Sequence, residues 1–158
     1  MNVQINLKYG TIKDQGLEGL IYNSWIRSFR CAASVRDVPH TPYLKGQHKL
    51  ISQLLENSTC RVLLAVDVED EGHILGWMCF QEYEGVGVIH YVYVKSTFRR
   101  FGIGTRLVGE VEGEVYYTHK NSRGDKLMSK CNASYNPYLA QRRDDEDQEG
   151  KVTSGGRD

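Results

Sequence analysis

Seven consecutive residues, Val88-Ile89-His90-Tyr91-Val92-Tyr93-Val94, are β-branched or aromatic almost throughout. Such a run is apolar on both faces, so it belongs in the middle of a sheet and not at a solvated edge. A sheet therefore has to be built around it, and the rest of the chain is read with that demand in mind.

The N-terminal Met1-Asn2-Val3-Gln4-Ile5-Asn6-Leu7-Lys8 alternates polar and apolar residues, the pattern of a strand and not of a secretory leader. Asp14 then stands where it can cap a helix whose apolar positions, Leu17, Leu20, Ile21, Trp25, Ile26 and Phe29, recur at three- and four-residue steps. Ala32 to Gly46 holds Pro39, Pro42 and Gly46 and has no clear period, after which Leu50, Ile51, Leu54 and Leu55 mark a second helix ending near Asn57. Arg61–Val68 and His73–Phe80, separated by Glu69-Asp70-Glu71-Gly72, read as an antiparallel hairpin. Past the central strand, 104–111 reads as a helix, Glu114–Thr118 as a strand, 122–131 as a helix and 132–139 as extended chain. This is the alternation of an α/β (α+β) domain.

With 158 residues, 40% of them apolar, the chain is long enough for one domain with its own core. That domain is expected over residues 1–140. Residues 141–158, with Arg142-Arg143 followed by Asp144-Asp145-Glu146-Asp147 and a Gly- and Ser-containing end, have a composition that favours a solvated tail. Twenty basic side chains balance twenty acidic ones, so no global field draws the chain to nucleic acid or an anionic membrane. Basic residues do outnumber acidic ones from Lys95 to Arg143, but the acidic run after it opposes a polyanion. No apolar run approaches the roughly 20 residues that cross a bilayer, which points to a cytoplasmic protein. Cys31, Cys60, Cys79 and Cys131 are far apart and read as free, mostly buried thiols, and no His/Cys spacing suggests a metal.

The chemistry sits just after the central strand, in Arg99-Arg100-Phe101-Gly102-Ile103-Gly104-Thr105. Glycines at 102 and 104 leave room for a diphosphate to approach the backbone, and amides from Arg100 to Thr105 can converge on its oxygens. The following helix points its positive end at the same place, and Arg99 and Arg100 add charge-assisted hydrogen bonds. A plain strand-to-helix turn would use the same residue types. A dinucleotide fingerprint would need a third glycine at Leu107, and no Gly-Lys-Ser/Thr is present for a Walker loop.

The loop and its position after the fourth strand resemble the GNAT (N-acetyltransferase) superfamily, whose signature Gln/Arg-x-x-Gly-x-Gly/Ala stands here as Arg99 to Gly104. The resemblance covers about Asn2 to Leu139, and its specificity rests on Val88 to Val108. It implies a mixed, mostly antiparallel central sheet flanked by helices in the order β-α-α-β-β-β-α-β-α. It also implies acetyl-CoA as cosubstrate and direct attack of an amine on the thioester. In such a fold the main chain of Val92 and Val94 would hold the pantetheine arm, with Asn121 as a further contact, and Arg99, Arg100, Phe101, Gly102, Ile103, Gly104 and Thr105 would take the pyrophosphate.

For the proton transfers, the resemblance points to a tyrosine after the fifth strand, and Tyr138 is favoured over Tyr135, although the usual Tyr-x-x-x-Gly-Phe ending is absent. As base, His90 would share a face with Val92 and Val94 in a regular strand, with Glu82 and His119 as alternatives. The first helix and the loop after it are where the family builds its acceptor pocket, which would put Trp25, His40 and Tyr43 near an amine of a small molecule or protein. Enzymes of this kind are often homodimers. The same fold can also serve as a catalytically silent binding or structural module.

Overall fold

The structure is a computed structural model that describes residues 3–140. The expected acidic tail, 141–158, lies outside the described residues, as do Met1 and Asn2. The chain runs β1 (Ile5–Gly10), α1 (Leu17–Phe29), α2 (His40–Glu56), β2 (Cys60–Asp67), β3 (Asp70–Tyr83), β4 (Val86–Val94), α3 (Ile103–Gly109), β5 (Glu114–Tyr117), α4 (Ser122–Lys130) and β6 (Ser134–Tyr135). The six strands form one sheet in sequence order. Its first three pairings, β1 to β4, are antiparallel, and β4–β5 and β5–β6 are parallel. Among the described residues no helix is long and apolar enough to cross a membrane.

Both faces of the sheet are covered, as an apolar central strand requires. Along β2 the side chains of Val62, Leu64 and Val66 face one layer while Leu63 and Ala65 face the other, the two-residue period of a strand. The first layer is α1 and α2, where Leu17, Ile21, Trp25 and Phe29 join Tyr43, Ile51 and Leu54 over Trp77, Cys79 and Tyr91. The second is α3 and α4, where Ile103, Leu107, Val108 and Met128 pack on Leu75, Met78, Phe80 and Ile89.

Several boundaries differ from the sequence reading. The second helix starts at His40, inside the stretch read as aperiodic. Pro39 precedes the helix and Pro42 lies in its first turn, where a missing N–H breaks no hydrogen bond. The first helix is preceded by Gly16 in the left-handed region (φ 80°), and the Asp14 carboxylate instead accepts from the amide of Thr11 at 2.9 Å, closing a turn. The extended 132–139 segment reduces to the two residues of β6 and a single 3₁₀ turn at Pro137–Ala140. Cys31 is exposed, whereas Cys79 is buried with its sulfur 3.2 Å from that of Cys60.

The loop between α1 and α2 is tied down by one side chain. Arg30 donates from Nη1 to the Val35 carbonyl at 3.1 Å and from Nη2 to the Val38 carbonyl at 2.7 Å, and its guanidinium stacks 4.5 Å over the Tyr43 ring. The Tyr43 hydroxyl in turn donates to the Ile26 carbonyl at 2.5 Å. Tyr43 is thereby spent on joining α2 to α1, and His40 lies exposed at the start of α2.

Candidate active site

The central strand is not regular. Cys79 lies opposite Tyr91 and Phe80 opposite Ile89, which leaves His90 as the extra residue of a β-bulge in β4. On the other side, β4 and β5 pair from Val86–Glu114 to Ile89–Tyr117, and the amide of Thr118 donates to the Ile89 carbonyl at 3.1 Å. Beyond that bond the two strands part. The gap is a cleft of about 270 Å³ including its open mouth, walled by Ile89 to Val92 on one strand, Tyr117, His119 and Asn121 on the other, and Gly124 and Met128 of α4.

The ladder also settles which main-chain groups face the gap. The Lys95 amide donates to the Leu75 carbonyl at 2.9 Å, so Lys95 and Leu75 form a hydrogen-bonded pair. In an antiparallel ladder such pairs alternate, and Tyr93 and Tyr91 therefore bond to β3 while the amides and carbonyls of Val92 and Val94 point toward β5. Among the described residues no strand lies beside them there. The Val94 carbonyl accepts from Arg99 Nε at 3.0 Å.

The loop after β4 is shaped by two left-handed residues, Arg100 (φ 72°) and Gly102 (φ 79°). For arginine that conformation is uncommon, and for glycine it is free of the Cβ penalty. None of the six amides from Arg100 to Thr105 donates to an acceptor among the described residues, and the first helical bond runs from Arg106 N to Gly102 O at 3.0 Å. A run of unpaired amides on alternating backbone hands is an anion-binding concavity. Space around the Cα of Gly102 is open, with nothing within 4 Å of where a Cβ would stand. A diphosphate fits these residues: the donors are free and the approach is unobstructed. With only seven residues in α3, the converging amides and not the helix dipole carry the attraction.

Gly104 also has a packing role. A Cβ there would stand 3.0 Å from Leu127 Cδ2, so this glycine lets α3 pack closely on α4. Ile103 is buried and anchors the start of α3, while Phe101 is 44% exposed. Arg99 lies 5.9 Å over the Tyr93 ring, and burial followed by the like charge of Arg123 lowers its pKa. Arg123, in the first turn of α4, thus joins the positive potential near the loop; no short motif in the sequence marks it.

The sequence model of the acetyltransferase (GNAT) family matches residues 21–133. This chain belongs to that family. Among solved structures, a predicted acetyltransferase from Clostridium acetobutylicum crystallised with acetyl-CoA is similar in fold, with a TM-score of 0.54 at 18% identity over 80% of this chain and 88% of that one. A protein from Exiguobacterium sp. 255-15 assigned as an acetyltransferase gives a TM-score of 0.50 at 14% identity, over 81% and 83% of the two chains. None of the curated proteins matches this chain in sequence.

Within this GNAT fold the expected proton carriers are scattered. His90 is 1% exposed, and the bulge turns it to the α1/α2 layer, away from the α3/α4 layer that Val92 and Val94 face, so the shared face expected of a regular strand is not formed. Its Nε2 lies 2.7 Å from Gln81 Oε1 and its Nδ1 lies 3.1 Å from Thr118 Oγ1. Burial, with a smaller contribution from His119, pulls its pKa down to about 3. Glu82 is at the closed end of the β4/β5 pair, ion-paired with Arg61 and accepting from the Glu112 amide at 3.3 Å. Tyr135 lies on β6 against Tyr117 and Lys120, and Tyr138 is 87% exposed; neither lines the cleft.

Asn121 does line the cleft, but its side chain is occupied. Oδ1 caps α4 by accepting from the Gly124 amide at 2.6 Å, and Nδ2 donates to the Tyr91 hydroxyl at 3.3 Å. Tyr91, which the sequence reading did not single out, stacks on Trp25 at 4.9 Å. The Ser28 hydroxyl is 2.6 Å from the Ser24 carbonyl, which can only accept, so the Tyr91 proton goes to Ser28 Oγ at 2.7 Å. Tyr91 is thus a strut between α1 and the start of α4. His119 faces the cleft with Trp25 and Phe29 edge-on, each 5.2 Å away. Burial lowers its pKa to about 4, opposed by the carbonyl of His90, which favours the charged ring.

Proposed function

We propose that this GNAT member transfers the acetyl group of acetyl-CoA to an amine by direct attack on the thioester. The observation that carries the reading is the run of six amides from Arg100 to Thr105 with no acceptor among the described residues, set just past the end of β4, the strand that parts from β5 after Ile89. Arg99 to Thr105 would take the pyrophosphate, with Arg123 adding charge. The main-chain groups of Val92 and the Val94 amide would pair with the pantetheine arm, and the Val92 amide would polarise the thioester carbonyl. Acetyl-CoA supplies an acyl electrophile on a thiolate leaving group; the protein orients it, excludes water and accepts the amine's proton. In this reading the proton acceptor is a cleft residue, and Glu82, Tyr135 and Tyr138 have no part in it.

Calorimetric titration with acetyl-CoA tests the loop. The Gly102→Val variant should bind about 100-fold more weakly, the loss of one or two charge-assisted hydrogen bonds. Nothing lies within 4 Å of where its Cβ would stand, so the main loss in folding should be the cost of a left-handed backbone, about 1–2 kcal/mol. Normal binding by this variant would refute the assignment. Release of CoA thiol with a panel of amines then separates an enzyme from a silent module, which would bind the cosubstrate and release none.

A further inference from the structure

Four buried polar or charged residues are found among the described ones, and three of them, Gln81, His90 and Thr118, belong to a single chain of hydrogen bonds. Polar groups placed inside an apolar sheet are costly unless fully paired, so a connected row of them calls for a reason. This row crosses from the end of α2 to the cleft, and its direction can be worked out bond by bond.

Asn57 Oδ1 accepts from the main-chain amide of Thr59 at 3.0 Å, and an amide can only donate. The Thr59 hydroxyl lies 2.7 Å from the same oxygen and must give it its proton. The Thr59 oxygen then accepts from Gln81 Nε2 at 2.7 Å, which leaves Gln81 Oε1 to face His90 Nε2 at 2.7 Å. That oxygen only accepts, so the proton of His90 is on Nε2. Buried and neutral, His90 presents a lone pair at Nδ1, to which the Thr118 hydroxyl donates at 3.1 Å. With its proton committed, the Thr118 oxygen accepts from His119 Nδ1 at 2.9 Å. His119 therefore carries its proton on Nδ1, and the lone pair is on Nε2. Trp25, Phe29 and Tyr91 meet the ring edge-on at 5.2, 5.2 and 6.2 Å, which opposes the ring flip that would exchange the two nitrogens.

We propose that Thr59, Gln81, His90 and Thr118 are positioning residues that hold His119 in the Nδ1–H tautomer, so that its Nε2 lone pair takes the proton of the attacking amine. The inference rests on the acetyl-transfer reading for its role and on the hydrogen-bond geometry alone for the tautomer. In the step, the amine nitrogen forms the C–N bond with its electron pair and its N–H bond breaks. The proton adds to His119 Nε2, the C–S bond breaks, and the electron pair leaves with the thiolate. The proton then passes from His119 to solvent through the mouth of the cleft.

Long-range ¹H–¹⁵N correlation spectra of the whole ¹⁵N-histidine-labelled protein test the tautomer with no substrate present. The wild type should show His119 protonated on Nδ1, opposite to the preference of imidazole in water. Thr118→Val keeps the shape of the side chain but removes the link, and should return His119 to the Nε2–H form, with Thr118→Ser restoring the wild-type spectrum. An Nε2–H His119 in the wild type, or a Thr118→Val spectrum unchanged at that ring, would overturn the proposal whether or not acetyl transfer is found. With an amine that the enzyme accepts, His119→Gln should lower kcat about 100-fold while the KM for acetyl-CoA stays within a few-fold. An undiminished kcat would remove His119 from the reaction. If no amine releases thiol, the acetyl-transfer reading fails by itself, and the spectra still decide the relay.

Discussion

Taking this protein from pH 7.5 to pH 5 should cost about 4 kcal/mol of folding stability, because two imidazoles are buried in the neutral form. His90 has its pKa lowered to about 3 and His119 to about 4, in each case chiefly by burial, from an ordinary value of 6.5. Below pH 6.5 the unfolded chain takes up protons at both rings and the folded one does not. Stability is therefore complete above pH 6.5 and is lost as the pH falls toward 4 and then 3. At pH 5 the gap of about 1.5 pH units is worth about 2 kcal/mol per ring. Urea unfolding followed by circular dichroism reads this directly: with a slope of about 2 kcal/mol per molar, the midpoint should move down by about 2 M. Other groups titrate in the same range, so the decisive quantity is a difference between proteins. His119→Gln should be less sensitive than the wild type by about 2 kcal/mol over this interval. Equal losses in the two proteins would mean that His119 is not held neutral by burial.

Three further outcomes follow from the packing. Arg30→Ala should release the loop between α1 and α2 and cost about 2 kcal/mol, the worth of hydrogen bonds from a charged donor, seen as faster hydrogen exchange at the amides of Val35, Arg36 and Val38. Gly104→Ala should change stability by less than about 1 kcal/mol, because the helix propensity it adds offsets the pressure of its Cβ on the methyl end of Leu127 3.0 Å away, and the same change should be more favourable in a Leu127→Ala background in a double-mutant cycle. An equal effect in both backgrounds would mean that Gly104 has no part in packing α3 on α4. Asn121→Ala should weaken α4 at its start by about 1 kcal/mol and loosen Tyr91, measurable as a lower melting temperature with unchanged secondary structure.

Much of the fold was legible because its local codes are strong. The three-residue and four-residue steps from Leu17 to Phe29, the alternation in the hairpin and the two-sided apolar run at Val88–Val94 each allow one kind of element. The start of α2 was missed because Pro39 and Pro42 look like breakers until one knows that they lie before and within the first turn. Tyr138 and Tyr135 drew attention by residue type, yet the two-residue β6 leaves Tyr135 exposed and the 3₁₀ turn after it leaves Tyr138 exposed. Nothing in the local pattern around Arg30 marks its role, although the carbonyls it holds are only five and eight residues away.

The sequence by itself determined the mixed α/β class, the apolar strand at the centre and the Arg99–Gly104 loop, since these depend on residues close together in the chain. Tertiary structure alone decided what the loop and the strand present to a ligand. The bulge at His90 arises from the register between β3 and β4, and the gap beside Val92 from where β5 stops pairing. The tautomer inferred for His119 depends on a row of hydrogen bonds that starts at Asn57, 62 residues earlier in the chain. A sequence pattern records which groups are present, but the direction of a hydrogen bond is set only by the partner that folding brings beside it.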